Sequence, residues 1–537
     1  MKKGTATLIA MCVALSMAAL DDTVVNVALP KMQTNLDLSV NGLQWILNAY
    51  LMPIACLVLP AGTLGDRYGR RSVFLSGLWV FIGASILVGL AFSSPMVIIG
   101  RLLQGIGAAA LLPTSLAILS EAFPNPRERT KAIGIWSGVS GLALIVGPAL
   151  GGILVDGFGW RSIFFLNVPL GVLTFWLTCR ALPIPPSQPA RSAKARNKPI
   201  DIPGMLFSVV MIAAFIMLLT GGNHTQIFSW QTLLLSGLTL GSAIAFITIE
   251  KHSAHPMLPL TLFRQPTFTT AIVTNALLFF MLVSLMFLFS LFLQQVQGYS
   301  AIATGLRFLP LNGAFILASI LSGYCAARIG WRTATTAGFA VAALGVLSLS
   351  QIQPDTAYTA MLWKLIVVGF GVGFTLSPLT AAGMGSASPS AAGVTAALLN
   401  TSTRLGGALG IAIQGNVFTH SLGTQLNRTL TGLDLPLTAQ QSIVAEALGY
   451  GATRPEKLTE YLSTNVSLEQ VSLEQVSLEQ LELAIHQSFV AGMQNVMSVA
   501  AIALLLGMVL CARYIRANSF SKPIRQELPR PPSRRSA

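Results

Sequence analysis

Residues 62–71 read GTLGDRYGRR, and residues 323–332 read GYCAARIGWR. The two stretches share a glycine, an arginine five places on, and then a further glycine and arginine at alternate positions, at an offset of 261. Two more matches follow in the same order. Arg101 is answered by Lys364 at an offset of 263, with Gly105 and Gly107 behind it answered by Gly369 and Gly371 at 264, and GPALGG at 147–152 by GGALGI at 406–411 at 259. Three ordered matches at a nearly constant offset indicate a duplicated unit, the construction expected of membrane carriers.

The sequence around these stretches is apolar. Only 10% of the 537 residues are charged and 53% are hydrophobic, with a mean hydropathy of +0.68. A soluble domain carries roughly a quarter charged residues, so this is a polytopic membrane protein. Apolar segments of bilayer-spanning length, roughly 17 to 25 residues, fall near 6–28, 43–64, 73–91, 95–119, 131–155, 161–181, 201–221, 230–249, 268–294, 303–326, 333–351, 358–382, 391–417 and 488–513. None has the period-two alternation of a membrane barrel, and an unpaired backbone is not tolerated in lipid, so the fold class is all-α with fourteen transmembrane helices. Met-Lys-Lys and Ser16-Met17-Ala18 admit a cleaved leader, but the apolar run continues to Pro30, so an uncleaved first helix is expected.

The repeat divides the fourteen helices. Residues 1–182 form a first six-helix bundle, 183–200 a basic linker, 201–260 two inserted helices, and 261–537 a second six-helix bundle. That second part includes a long outer connection at 418–487, in which VSLEQ occurs three times over 466–480, and a tail at 514–537. With both termini cytoplasmic, 24 of the 33 Lys and Arg residues face inward, six face outward, and Arg101, Lys364 and Arg404 remain inside helices. That asymmetry satisfies the positive-inside rule and absorbs the net charge of +14 without nucleic acid. Cys12, Cys56, Cys179, Cys325 and Cys511 lack metal or disulfide spacing and read as small apolar packers.

Asp21 and Asp22 stand inside the first span. A charge near the bilayer centre costs about 2.5 to 3.5 kcal/mol on insertion scales, so an adjacent pair calls for a use. Asp21 lies nine residues before Pro30, about 13 Å below the helix end, and Arg101 lies six after Pro95, about 9 Å below the end of the antiparallel fourth span. The two therefore meet at similar depth. Successive residues diverge by about 100° around a helix, so one of the two acids faces a central cavity squarely. Burial favours the neutral acid and a guanidinium favours the carboxylate, and an acid balanced between them exchanges a proton as its surroundings change. Asp21, Asp22 and Arg101 are thus the proton-coupling candidates; the alternatives are a fixed Asp21–Arg101 lock between helices and, for Asp22, which reads equally as a second proton or cation site, a tolerated neighbour. Asn26, Asn275, Gln294, Lys364 and Arg404 are cavity candidates or, equally, cross-helix bonding groups.

The stretches quoted, together with LDDTVVNVALP at 20–30, RLLQGIGAA at 101–109, WRSIFFLNVPLG at 160–171, LQQVQGYSAIATGLRFLP at 293–310 and NTSTRLGGALG at 400–410, resemble the major facilitator superfamily. Within it they are similar to the fourteen-helix drug:proton antiporters, over nearly the whole chain. The resemblance implies export of an amphipathic compound, expected to be cationic or neutral, in exchange for protons from the bacterial cytoplasmic membrane, with no cofactor beyond the proton gradient. It also implies a latch favouring the outward-open state, built from Gly62, Gly65, Asp66, Arg67, Gly69, Arg70 and Arg71. In that latch Asp66 lies near a helix N-terminus of the opposite bundle and Arg70 bonds Glu121 or Glu128; the plainer reading of these charges is topological. Gly147, Pro148, Gly151 and Gly152 match the family's antiporter motif, a bend sealing the bundle interface, where the alternative is ordinary close packing. The second copy departs from the loop pattern, with Ala327 where Asp66 stands.

The partners implied are a small amphipathic substrate, protons and the bilayer, with a monomer as the unit and a periplasmic adaptor protein as an open option. No catalytic or metal-binding constellation is found: GxxxxGK[ST], HExxH and GxSxG are all absent, and His252 and His255 lack further ligands. Competing readings are a metabolite carrier or uniporter, a membrane-embedded enzyme, and a non-transporting sensor on the same fold.

Overall fold

The computed structural model describes residues 3–182, 201–221, 229–253, 258, 260–387, 392–432, 437–451 and 478–516, and among them the chain is helical with no strand. The main helices are α1 (Lys3–Leu36), α2 (Val40–Tyr68), α3 (Arg70–Gly89), α4 (Ser94–Ala122), α5 (Pro126–Phe158), α6 (Asn167–Ala181), α7 (Ile202–Gly221), α8 (Trp230–His252) and α9 (Pro266–Leu291). Then come α10 and α11, the two arms of Leu309–Leu349, followed by α12 (Tyr358–Gly385), α13 (Ala392–Thr431) and α14 (Leu478–Tyr514). Among the described residues twelve stretches are long and apolar enough to cross a bilayer; one of them, Ala301–Leu349, is double, and the less apolar α13 adds another, so each of the fourteen expected spans falls on a helix.

The glycine shared by the two sequence repeats explains that doubling. Gly69 separates α2 from α3 at φ 98°, and its counterpart Gly330 separates α10 from α11 at φ 83°. Both lie in the left-handed region, which a side chain disfavours, so the chain turns back on itself at the same place in each half.

The other repeated glycines set equivalent packing. A Cβ on Gly105 would strike Tyr50 of α2 and one on Gly107 would strike α3 at Gly77 and Phe81; Gly369 and Gly371 stand in the same way against Leu311 of α10 and Ala342 of α11. Gly147 and Gly151 let α5 press on Thr23 and Val24 of α1, while Gly406 and Gly410 let α13 press on Ala276 and Phe280 of α9. Small residues at these crossings bring helix backbones together where lipid supplies no hydrophobic drive between helices. The offsets of 259 to 264 are therefore the spacing of one bundle plan used twice.

The inserted pair packs on itself and on the outside of both bundles. Asn48 of α2 donates to Thr220 Oγ1 at 3.0 Å and Asn416 of α13 donates to the Leu219 carbonyl at 2.8 Å, which fixes α7. Only 11% of the most apolar stretch of α8 is buried, against 72% for α2, so α8 faces lipid.

One expectation is corrected. The connection expected at 418–487 is not one long loop, because α13 continues to Thr431, Leu437–Tyr450 is a further helix and α14 begins at Leu478. Leu422, Leu426 and Leu430, at helical spacing, are buried with Ile443, Ala447 and Leu481, so an apolar stripe extends both helices beyond the bilayer length. The linker 183–200, Arg454, Lys457, the VSLEQ run up to residue 477, His255 and the tail beyond 516 lie outside the described residues.

Candidate functional site

Asp21 of α1 is buried against α4 and α6. Its Oδ2 is ion-paired with Nη1 of Arg101, which is itself 1% exposed. Its Oδ1 accepts from Asn167 Nδ2 at 3.0 Å and from Gln104 Nε2 at 3.3 Å. Ser85 ties those two amides together, accepting from Gln104 at 2.8 Å and from Asn167 at 3.3 Å. Arg101 is fixed in turn by Gln104 Oε1 at 3.1 Å, by the Ile46 carbonyl, and by the Tyr50 ring, whose centroid lies 4.2 Å from the guanidinium carbon. A carboxylate with three donors and a stacked guanidinium is solvated by protein in place of water.

Asp22 points another way. It is ion-paired with Arg404 of α13, and the two side chains keep 15% and 18% exposure. Both line a cavity of about 970 Å³ between the bundles, and Asp21 does not. The helical divergence expected from sequence thus operates, and Asp22 is the acid that faces the cavity. The pair joins helices of opposite bundles, whereas Asp21–Arg101 lies within the first.

The cavity extends from Asp22, Asn26 and Arg404 to Asp66, Arg70, Thr380 and Met384. Beyond Asp22 it is closed. Ser290 Oγ donates to the Asn26 carbonyl at 2.8 Å, Gln294 donates to the Val27 carbonyl at 3.0 Å, and Gln295 donates to Gln33 Oε1 at 2.7 Å. On the same side Gly152 admits the backbone of Ala301 and Ile302, Gly305 admits the Pro148 carbonyl, and Asp156 Oδ2 accepts from the Ile302 N–H at 2.8 Å. Gly147, Pro148, Gly151 and Gly152 therefore form a close-packed seam joining α5 to α1 on one flank and to the second bundle on the other.

At the mouth, Arg70 donates to Asp66 Oδ1 at 2.8 Å and 3.0 Å and to Glu121 Oε1 at 3.0 Å. Glu128 is exposed in the first turn of α5, and Arg70 uses Glu121 instead. Gly65 lets α2 approach Thr114 of α4, and Gly62 stands over Pro113. Arg67 lies near the Tyr68 ring and Arg71 reaches Cys179. Asp66 is bonded within its own bundle; the structure does not bring it to a helix of the opposite one, because the cavity mouth separates the bundles here.

Of the cavity candidates, Asn26, Asn275 and Arg404 line the space. Asn275 also bonds across to α13, donating to Ser402 at 2.8 Å and Thr403 at 2.9 Å. Gln294 belongs to the closure and not to the cavity wall. Lys364 lies off the cavity, its Nζ 5.9 Å from the Trp363 ring, so of these two cations Arg404 alone lines it. The sequence reading missed Tyr50, Ser85, Gln104 and Asn167. Each is a polar group within an apolar span, and Gln104 sits three residues from Arg101, on the same helix face.

The Major Facilitator Superfamily model matches residues 11–411. The chain belongs to that superfamily. Among its major facilitator relatives, the multidrug resistance protein Stp of Mycobacterium tuberculosis (strain CDC 1551 / Oshkosh) is 35% identical over 442 residues, covering 82% of this chain and 81% of Stp. The tetracenomycin C resistance and export protein of Streptomyces glaucescens is 30% identical over 533 residues, covering 98% of this chain and 94% of that one. Among solved structures, a bacterial homologue of the human lysosomal transporter Spinster, inward-facing and occupied, aligns with a TM-score of 0.60 at 18% identity, over 94% of this chain and 95% of that one. That last likeness is one of fold alone.

Proposed function

We propose that the chain exports small amphipathic compounds across the bacterial cytoplasmic membrane in exchange for protons, by alternating access, with a single chain as the transporting unit. The observation that carries this reading is the pair of adjacent carboxylates, each matched to its own arginine, one facing the blind end of a cavity between two bundles and the other buried behind it. The names of the relatives, a multidrug resistance protein and an antibiotic export protein, favour the same substrate class. The excess of Lys and Arg makes the Asp66 face cytoplasmic. The cavity therefore opens inward here, and the Asp156 seam closes the outer side.

In this reading the two acids divide the work. Asp21 exchanges the proton inside the first bundle, where Arg101, Gln104 and Asn167 replace its water. Asp22 couples that bundle to the second through Arg404, so the pairing changes as the bundles rock. Purified protein in liposomes tests the reading: an imposed pH gradient drives substrate movement in a transporter and does not in an enzyme or a sensor. Movement that ignores the gradient would leave a uniporter.

The loop at the mouth serves as the latch of the opposite state. Arg70 holds Asp66 and Glu121 ready while the mouth is open, and Asp66 meets the second bundle when it shuts. Asp66→Asn is expected to lower transport at least tenfold while the amount of chain in the membrane stays unchanged. Uptake assays alongside quantitative blotting check this, and wild-type transport by the variant removes the latch.

A further inference from the structure

The two charges that face the blind end of the cavity, Asp22 and Arg404, are of opposite sign and are spent on each other. Arg101 also touches the cavity wall, but its charge is committed to Asp21. The group of four therefore carries two negative and two positive charges, and the blind end has no net charge to offer. Among the described residues, two buried polar atoms on the wall have no hydrogen-bond partner, and both are neutral: Asn26 Oδ1, an acceptor, and Trp136 Nε1, a donor. Such atoms suit uncharged polar groups on a ligand.

We infer that the Asp22–Arg404 pair is a charge filter: it admits neutral and zwitterionic amphipaths and disfavours lipophilic monocations. A neutral ligand leaves the pair intact. A zwitterion can part it and satisfy both poles, its ammonium on Asp22 and its carboxylate on Arg404. A monocation satisfies Asp22 but strands Arg404 in a site of low dielectric, where an unmatched charge is expensive. A monoanion strands Asp22 unless that acid is protonated, and a proton carried with the ligand runs against exchange. The inference rests on the export reading for its substrate class, but the filter itself is a property of binding.

The experiment measures binding of tetraphenylphosphonium, chloramphenicol and zwitterionic norfloxacin to the purified full-length protein by equilibrium dialysis at neutral pH, followed by their transport in liposomes. Chloramphenicol and norfloxacin are expected to bind at least tenfold more tightly than tetraphenylphosphonium. Arg404→Gln, which frees Asp22, should tighten tetraphenylphosphonium at least tenfold. Arg404→Lys should keep the wild-type order, and Asp22→Asn with Arg404→Gln should lose the discrimination. Equal binding of all three probes by the wild type, binding of none, or an Arg404→Gln variant with the wild-type order overturns the filter. Discrimination in binding without gradient-driven movement supports the filter and refutes export; movement of all three probes with equal affinity refutes the filter and leaves export standing.

Discussion

Asp21→Asn is expected to abolish proton-driven export, by at least a hundredfold, while leaving the protein folded in the membrane and able to exchange substrate for substrate. Asparagine keeps an oxygen where Asp21 Oδ1 accepts from Gln104 and Asn167, so the local geometry has a scaffold. What it removes is the ability to gain and lose a proton, and with it the counter-charge of the buried Arg101. Breaking a buried ion pair from one side costs about 3 to 5 kcal/mol. Here the Tyr50 ring, the Gln104 oxygen and the Ile46 carbonyl still hold the guanidinium and offset part of that cost. A variant fixed in the neutral form binds and releases substrate but cannot tie that cycle to a gradient. Parallel measurements of gradient-driven uptake and of substrate counterflow in liposomes separate the two. If the pair only locks α1 to α4, the outcome reverses: the variant accumulates poorly, yet each surviving molecule pumps at the wild-type rate.

The number of helices, their order and the twofold plan were legible because each rests on a local rule. Bilayer thickness sets the length of an apolar run, and a backbone that must reverse or approach another closely needs glycine, as at Gly69 and Gly330 or at Gly107 and Gly371. The depth of Asp21 and Arg101 was legible for the same reason, since helical rise converts residue counts into ångströms. The assignment of partners was not. Asp22 and Arg404 are 382 residues apart, and no local pattern states that their helices meet across the bundle interface. Lys364 illustrates the converse, a buried cation that does not line the cavity. The outer ends of α13 and α14 were missed because the expected spans stopped at the bilayer length, whereas Leu422, Leu426 and Leu430 continue the apolar stripe past it.

Gly152→Val is expected to eliminate transport by a different route, prising open the outer seam. A Cβ at residue 152 would run into the backbone of Ala301 and Ile302, which belong to the other bundle and cannot turn aside as a flexible side chain does. Overpacking a tight contact costs about 1 to 3 kcal/mol. Between two states that differ by the making of that contact, this shifts the population roughly 5- to 150-fold toward the one in which the seam is parted. The strain acts beside the Asp156 bond to the Ile302 N–H, so both fastenings of the seam weaken together. Ser290 is buried just inside the closure, donating to the Asn26 carbonyl, and reports on it directly. With Ser290→Cys placed in a chain freed of its five native cysteines, a membrane-impermeant maleimide added from outside should label the Gly152→Val variant at least tenfold faster than its Gly152 parent. Gly152→Ala should fall between. Should the glycine serve packing alone, valine would reduce the yield of folded protein and the labelling rate of what remains would match the parent. The seam then stops being the outer gate, and alternating access must find its outer closure in the contacts of Ser290, Gln294 and Gln295 with Asn26, Val27 and Gln33 of α1.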